Sequence, residues 1–171
     1  KEYRRQRQMC IRDRHLTMDN LDVKILRELQ RNARITNQEL SERVSLSPTP
    51  CSRRVKLLEQ AGVVKGYSAI IDPEPYGLPV MAFVTVRLAK QAEHEIATFE
   101  AAILQLDQVT ACYLMSGRQD YLLQVYATSL KDYEAFVRSK LTRVIGIAEI
   151  ETHFAFGQVK RSQLLPEPRI G

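Results

Sequence analysis

The stretch "SLSPTPCSRRVKLLEQAG", residues 45–62, sets two prolines and then three positive charges onto the front half of an amphipathic helix. Ser47 has the chemistry of an N-cap, because a hydroxyl there accepts from the first free backbone N–H groups. Pro48 then falls at the first helical position, and Pro50 still lies in the first turn, where a missing N–H costs no intrahelical bond. Cys51, Val55, Leu58 and Gly62, widened by Leu57 and Ala61, follow the spacing of a face turned to a core. Thr49, Ser52, Arg53, Lys56 and Gln60 fall on the other face. Alone, that face reads as a solvated run of charge.

The residues before it change the reading. In "MDNLDVKILRELQRNARITNQELSERV" (18–44), Asp19 or Asn20 caps a helix whose Leu21, Ile25, Leu26 and Leu29 form a buried stripe, and "RNAR" ends it. Thr36, with Glu39 three residues later, forms a capping box for a second, short helix whose Leu40 and Val44 face inward. Two helices joined by so short a turn, the second offering polar and basic side chains at its tip, form a helix-turn-helix. The prolines stiffen the end that enters a major groove. "VVKGYSAIID" (63–72) follows as a turn at Gly66 and a strand, which makes the unit a winged variant.

At 171 residues, 44% hydrophobic and 26% charged, the chain has the composition of a globular protein of one or two small domains. It has no apolar run near 18 residues and no signal-peptide core. Cys10, Cys51 and Cys112 are odd in number and lack metal-ligand spacing, which fits a reducing cytoplasm. The net charge of +5 is unevenly spread: +4 over residues 1–17, +3 over 18–65 and −2 over 66–171. Residues 1–17 read as a non-native or disordered basic tail, "RQRQMCIRDR" resembling translated adaptor sequence and Met18 a natural initiator; the alternative is a basic arm on phosphates. The charge that remains on 18–65 points to that region as the part that meets a polyanion.

The second half repeats itself. "VMAFVTVRL" (80–88), a helix through Ile96, Phe99, Ile103 and Leu106, and "VTACYLMS" (109–116) are followed by "YLLQVYATS" (121–129), a helix from Tyr133 to Val144, and "AEIETHFAFGQV" (148–159). This βαββαβ order is the ferredoxin-like plan, an antiparallel sheet with both helices on one face. Phe154 and Phe156 alternate with His153 and Ala155, so neither face of the sheet reads as wet, and a second subunit is expected. The fold class is therefore α+β.

Taken from Met18 to Leu165, the chain resembles the Lrp/AsnC regulators, the leucine-responsive, asparagine-synthesis or feast/famine family. "LSPTPC" followed by "RRVKLLEQAGVVKGY", and "LMSGRQDYLLQV", carry the resemblance. It implies a helix-turn-helix over 18–65, a strand hinge over 66–79, a ferredoxin-like effector and oligomerisation domain over 80–165, and a tail over 166–171. It also implies homodimers that assemble into octamers on double-stranded DNA in a bacterial or archaeal cytoplasm, and a free amino acid bound between subunits.

Ser47, Thr49, Ser52, Arg53, Arg54 and Lys56 occupy the positions of the recognition helix. Arg53 can fork onto guanine O6 and N7, Thr49 and Ser52 are short enough for base edges or phosphates, and Lys56 suits a phosphate. Arg54 sits at the edge of the buried stripe, where pairing with Glu42 or Glu59 is the alternative. For the effector, the turn Ser116, Gly117, Arg118, Gln119, Asp120 and Tyr121 matches the family's site, joined by Thr152, His153 and Phe154 of the last strand. Asp120 offers an acceptor for an ammonium, and the amides near Gly117 offer donors for a carboxylate; a plain hairpin turn is the competing reading. No enzyme site, metal set or cofactor motif emerges: His15, His94 and His153 are far apart, and His153 reads as a packed or interface histidine. Sirohaem decarboxylases, which share the two-domain plan, and architectural DNA-binding proteins without an effector remain as alternatives.

Overall fold

The computed structural model describes residues 18–160, 162 and 164–168. The expectation for residues 1–17 lies outside that range. Two compact units are present: residues 18–69 with the described residues of 160–168, and Ile70–Val159.

In the first unit, helix α1 (Asn20–Arg31) is capped by Asp19, whose carboxylate accepts from the N–H groups of Leu21 and Asp22, both at 2.9 Å. Asp22 completes the box by accepting from the Asp19 N–H at 3.1 Å. Helix α2 (Asn37–Arg43) has the expected Thr36 and Glu39 capping box. Ser45, in the left-handed region at φ 58°, turns the chain into helix α3 (Pro48–Gln60). Ile25, Leu40, Val44, Cys51 and Leu58 form the core, with Leu26, Leu29 and Val55 against it.

Three local expectations are corrected. Ser47 is the N-cap of α3 but makes no side-chain capping bond, because Pro50 removes the donor at the third helical position. Leu57 is 43% exposed rather than part of the buried face. Residues 66–79 form no strand: a strand needs a ladder, the sheet among the described residues is built from four other segments, and Tyr67 and Ile70 lie exposed.

The second unit runs β1 (Val80–Leu88), α4 (Glu93–Ile103), β2 (Val109–Leu114), β3 (Tyr121–Ala127), α5 (Leu130–Ser139), a 3-10 turn (Leu141–Arg143) and β4 (Ile147–Phe154). The strands pair antiparallel in the order β2-β3-β1-β4, as a split βαβ plan requires. Alternation does the sorting: Ala82, Val84, Val86 and Leu88 of β1 and Tyr121, Leu123, Val125 and Ala127 of β3 are buried with Phe99, Ile103, Tyr133 and Phe136 of the helices. The alternate residues Met81, Phe83, Thr85, Leu122, Gln124 and Tyr126 form the opposite face, half-buried in a single chain. The last strand stops at Phe154, short of the expected 159: Phe154 pairs with Ala82, the Ala155 N–H makes one further bond to Met81 O, and β1 begins at Val80, leaving nothing beyond to pair with. Phe156 is left fully exposed.

The two caps differ in a measurable way. Thr36→Ala removes a bonded cap and should lower unfolding free energy by about 0.5–2 kcal/mol. Ser47→Ala removes no cap bond and should stay within about 0.5 kcal/mol of the parent in urea melts.

Candidate nucleic-acid interface and effector turn

The exposed face of α3 begins with chemistry that the fold leaves unused. The side chains of Ser47, Thr49, Ser52, Arg53 and Lys56 make no hydrogen bond or ion pair among the described residues. Thr49, Ser52, Arg53 and Lys56 line one open groove with Asn37 and Gln60. Asn37 reaches across the turn and donates from Nδ2 to the Pro48 carbonyl at 2.9 Å, fixing the tip of α3 against the start of α2.

Arg54 belongs to a different arrangement. Its guanidinium lies 2.7 Å from Asp22 Oδ1 and 2.8 Å from Asp19 Oδ2, so it is tied to the capping box of α1. The expected alternative partners, Glu42 and Glu59, are not used; Glu59 instead accepts from the Tyr67 hydroxyl at 2.9 Å. Sequence reading missed Asp22, which is buried on the same helical stripe as Ile25, Leu26 and Leu29, a signal the spacing carried. A buried carboxylate facing one guanidinium is costly to leave unpaired, so Arg54 positions α3 from behind while Arg53 faces outward.

A second clasp works in the same way. Glu28 of α1 binds Arg43 of α2 at 2.8 Å and Arg31 at 2.6 Å. The bond from Arg43, aided by Arg31, holds the Glu28 carboxyl below the usual carboxylate range. The Asp22 backbone N–H, with Arg54, does the same for Asp19. Both carboxyls release their proton more readily folded than unfolded, so their stabilisation is present above the ordinary carboxylate pKa and is lost as pH falls through the lowered values.

In the second unit, Gly117 holds φ 125° at the turn between β2 and β3, a conformation that side-chain-bearing residues rarely adopt. The backbone N–H groups of residues 116–119 donate to no acceptor among the described residues. Gln119 Oε1 is buried without a partner, as is Thr85 Oγ1 on β1, a residue the sequence did not single out. Asp120 is bound tightly: Oδ2 accepts from the Leu88 N–H and Oδ1 from Gln91 Nε2, both at 2.7 Å. Its backbone also closes the turn, through Asp120 N–H to Val86 O and Met115 N–H to Asp120 O. Asp120 therefore holds the turn in shape, a role the sequence-based ammonium acceptor did not include. Tyr121 is buried and donates to Glu100 at 3.0 Å; burial, then that carboxylate, pushes its phenol well above the ordinary value.

The two predicted halves of the effector site are not brought together within one chain. Tyr121 pairs with Val86 on one side of β1, whereas Thr152 pairs with Val84 and Phe154 with Ala82 on the other side and farther along. Thr152 lies 2.5 Å from the Tyr133 hydroxyl, Phe154 packs edge-on against the Tyr133 ring, and His153 is exposed beside Glu151. Among the described residues no group of His, Cys, Asp and Glu is placed to hold a metal ion.

A reading helix with unused cations on one unit, and a ferredoxin-like sheet with an open turn on the other, define a regulator that carries its DNA-binding and ligand-binding parts in one chain. The comparisons agree: residues 18–65 match winged helix-turn-helix DNA-binding domains, and residues 81–165 match the Lrp/AsnC ligand binding domain. The chain belongs to the Lrp/AsnC family of transcriptional regulators. It is 38% identical to the leucine-responsive regulatory protein of Haemophilus influenzae over 89% of this chain and 92% of that one. It is 36% identical to the Escherichia coli protein of the same name over 86% and 90%. A transcriptional regulator of Neisseria meningitidis, solved as an L-Met complex, superposes with a TM-score of 0.83 at 39% identity, covering 88% of this chain and 97% of that one.

The neighbouring arginines should separate cleanly. Arg54→Ala should lower the melting temperature and blunt the loss of stability in acid that Asp19 contributes. Arg53→Ala should leave melting unchanged but weaken binding to a specific duplex by about 1–3 kcal/mol, with Lys56→Ala lowering the salt slope by about one for all sequences.

Proposed function

We propose that this regulator binds a free α-amino acid at the 116–121 turn, between two copies of the chain, and that occupancy alters its assembly or its affinity for operator DNA. The observation that carries the reading is the turn itself: consecutive amide donors with no acceptor beside a buried, unpartnered Gln119 oxygen, within a domain of the Lrp/AsnC ligand-binding type. Amide donors suit a carboxylate, and the Gln119 oxygen with the remaining lone pairs of Asp120 suits an ammonium. Thr152, His153 and Phe154 then come from a second copy, which accounts for their distance from the turn in one chain. The half-buried sheet face of Met81, Phe83, Leu122 and Tyr126 supports a homodimer, and dimers of this kind assemble to octamers in the present reading.

On DNA, Ser47, Thr49, Ser52, Arg53 and Lys56 make the contacts, and Arg54 holds the helix that presents them. The protein works as a regulator at the chromosome, in the cytoplasm, and not as an enzyme; the curated relatives are named as regulatory proteins. No helix among the described residues is long and apolar enough to cross a membrane.

A thermal-shift screen against the twenty amino acids tests the reading, since a ligand that binds only the folded state raises the melting temperature by mass action. Gln119→Ala should reduce the shift given by the responding amino acid while leaving the ligand-free melt within about 0.5 kcal/mol. Asp120→Ala should abolish it by releasing the turn. A parent protein indifferent to all twenty would instead make this an effector-independent DNA-binding protein.

A further inference from the structure

We infer that the segment following β4 is a second tether, which fastens to helix α1 and holds the DNA-binding unit ready for its operator. The chain passes between the two units twice, once at residues 69–70 and again at 159–160, and the described residues of the returning segment belong to the DNA-binding unit. Ser162 Oγ accepts from the Leu164 N–H at 3.2 Å, shaping the return. The Leu165 N–H then donates to Gln30 Oε1 at 2.8 Å. Gln30 is oriented for this by its own helix, since its Nε2 donates to the Leu26 carbonyl at 3.3 Å. Two residues on, the Glu167 carboxylate pairs with the Arg27 guanidinium.

The helix that receives the strap is the one that positions the others. Asp19 and Asp22 at its start hold Arg54 of α3, and Glu28 in its middle holds Arg43 of α2. Arg27 and Gln30 lie in its second half, on either side of Glu28, so the strap grips the same rigid element without touching the reading face. A held unit loses less freedom when it docks, so fastening favours binding. Exposed pairs are weak, which makes such a strap releasable.

The test is a charge swap in the full chain, without ligand, on a duplex that the parent protein selects from a random pool. Arg27→Glu and Glu167→Arg each break the pair, so both should speed amide exchange in α1 and weaken operator binding about two- to fivefold, the range for an exposed pair. The double variant Arg27→Glu/Glu167→Arg should restore both. Simple attraction to DNA predicts the opposite for Glu167→Arg, which adds positive charge and would tighten binding. Tighter binding by that variant, unchanged exchange in both single variants, or a double variant that does not recover overturns the strap. The strap rests on the operator-binding part of the proposed function only; a parallel titration with L-methionine and L-leucine reports on the effector reading, and its failure leaves the charge-swap result standing.

Discussion

The arrangement of the DNA-binding unit depends on one ionic contact, the Arg54 guanidinium held by Asp19 and Asp22. Asp22 is buried, and a carboxylate in that position needs a partner. The partner comes from α3, so satisfying the cap of α1 also fixes the rotation of the recognition helix about its axis. With Arg54 turned inward, Lys56 two positions on comes to the far side of the helix, and Arg53, about a quarter turn from Arg54, stands between the two and lines the exposed groove with Thr49, Ser52 and Lys56. The reading surface is thus defined from behind, by which cations the fold consumes and which it leaves.

The ligand-binding unit follows a related logic. Its sheet buries one face under two helices and leaves the other half-covered, and its hairpin turn is fastened from outside through Asp120 to Leu88 and Gln91. Fastening the carboxylate frees the neighbouring amides from any structural task. A turn so held cannot collapse onto its own donors, which is the condition for presenting them to something else. The separation of Thr152 to Phe154 from this turn is what the proposed site between two copies of the chain explains, with the open sheet face as the surface they would share.

What the sequence made legible was local. The Thr36 and Glu39 box, Pro48 and Pro50 in the first turn of α3 and the two helix-sheet repeats follow from contacts within a few residues or from strict periodicity, and each could be read from spacing. The unread parts are contacts across distance. Arg54 finds acids more than thirty positions upstream rather than Glu42 or Glu59, and Asp120 finds Leu88 and Gln91 across two strands. Asp22 shares a helical stripe with Ile25, Leu26 and Leu29, but the stripe was read from its apolar members alone, so the buried acid on it went unread. The 66–72 segment has the composition of a strand, yet a strand is a property of a pair, and the four-stranded sheet of the described residues does not include it. Ser47 shows the finer limit: the cap residue was right, but the second proline removed the donor it would have served.

The division of labour between Arg53 and Arg54 is tested most directly by replacing single guanines of the selected operator with 7-deazaguanine, which deletes the N7 acceptor and leaves the base pair intact. The parent should lose about 1–3 kcal/mol at one guanine per half-site, the discrimination expected of a bidentate arginine. Arg53→Ala should be indifferent to that substitution, and Arg54→Ala, though less stable, should remain sensitive to it. Retained sensitivity in Arg53→Ala together with its loss in Arg54→Ala would contradict the account.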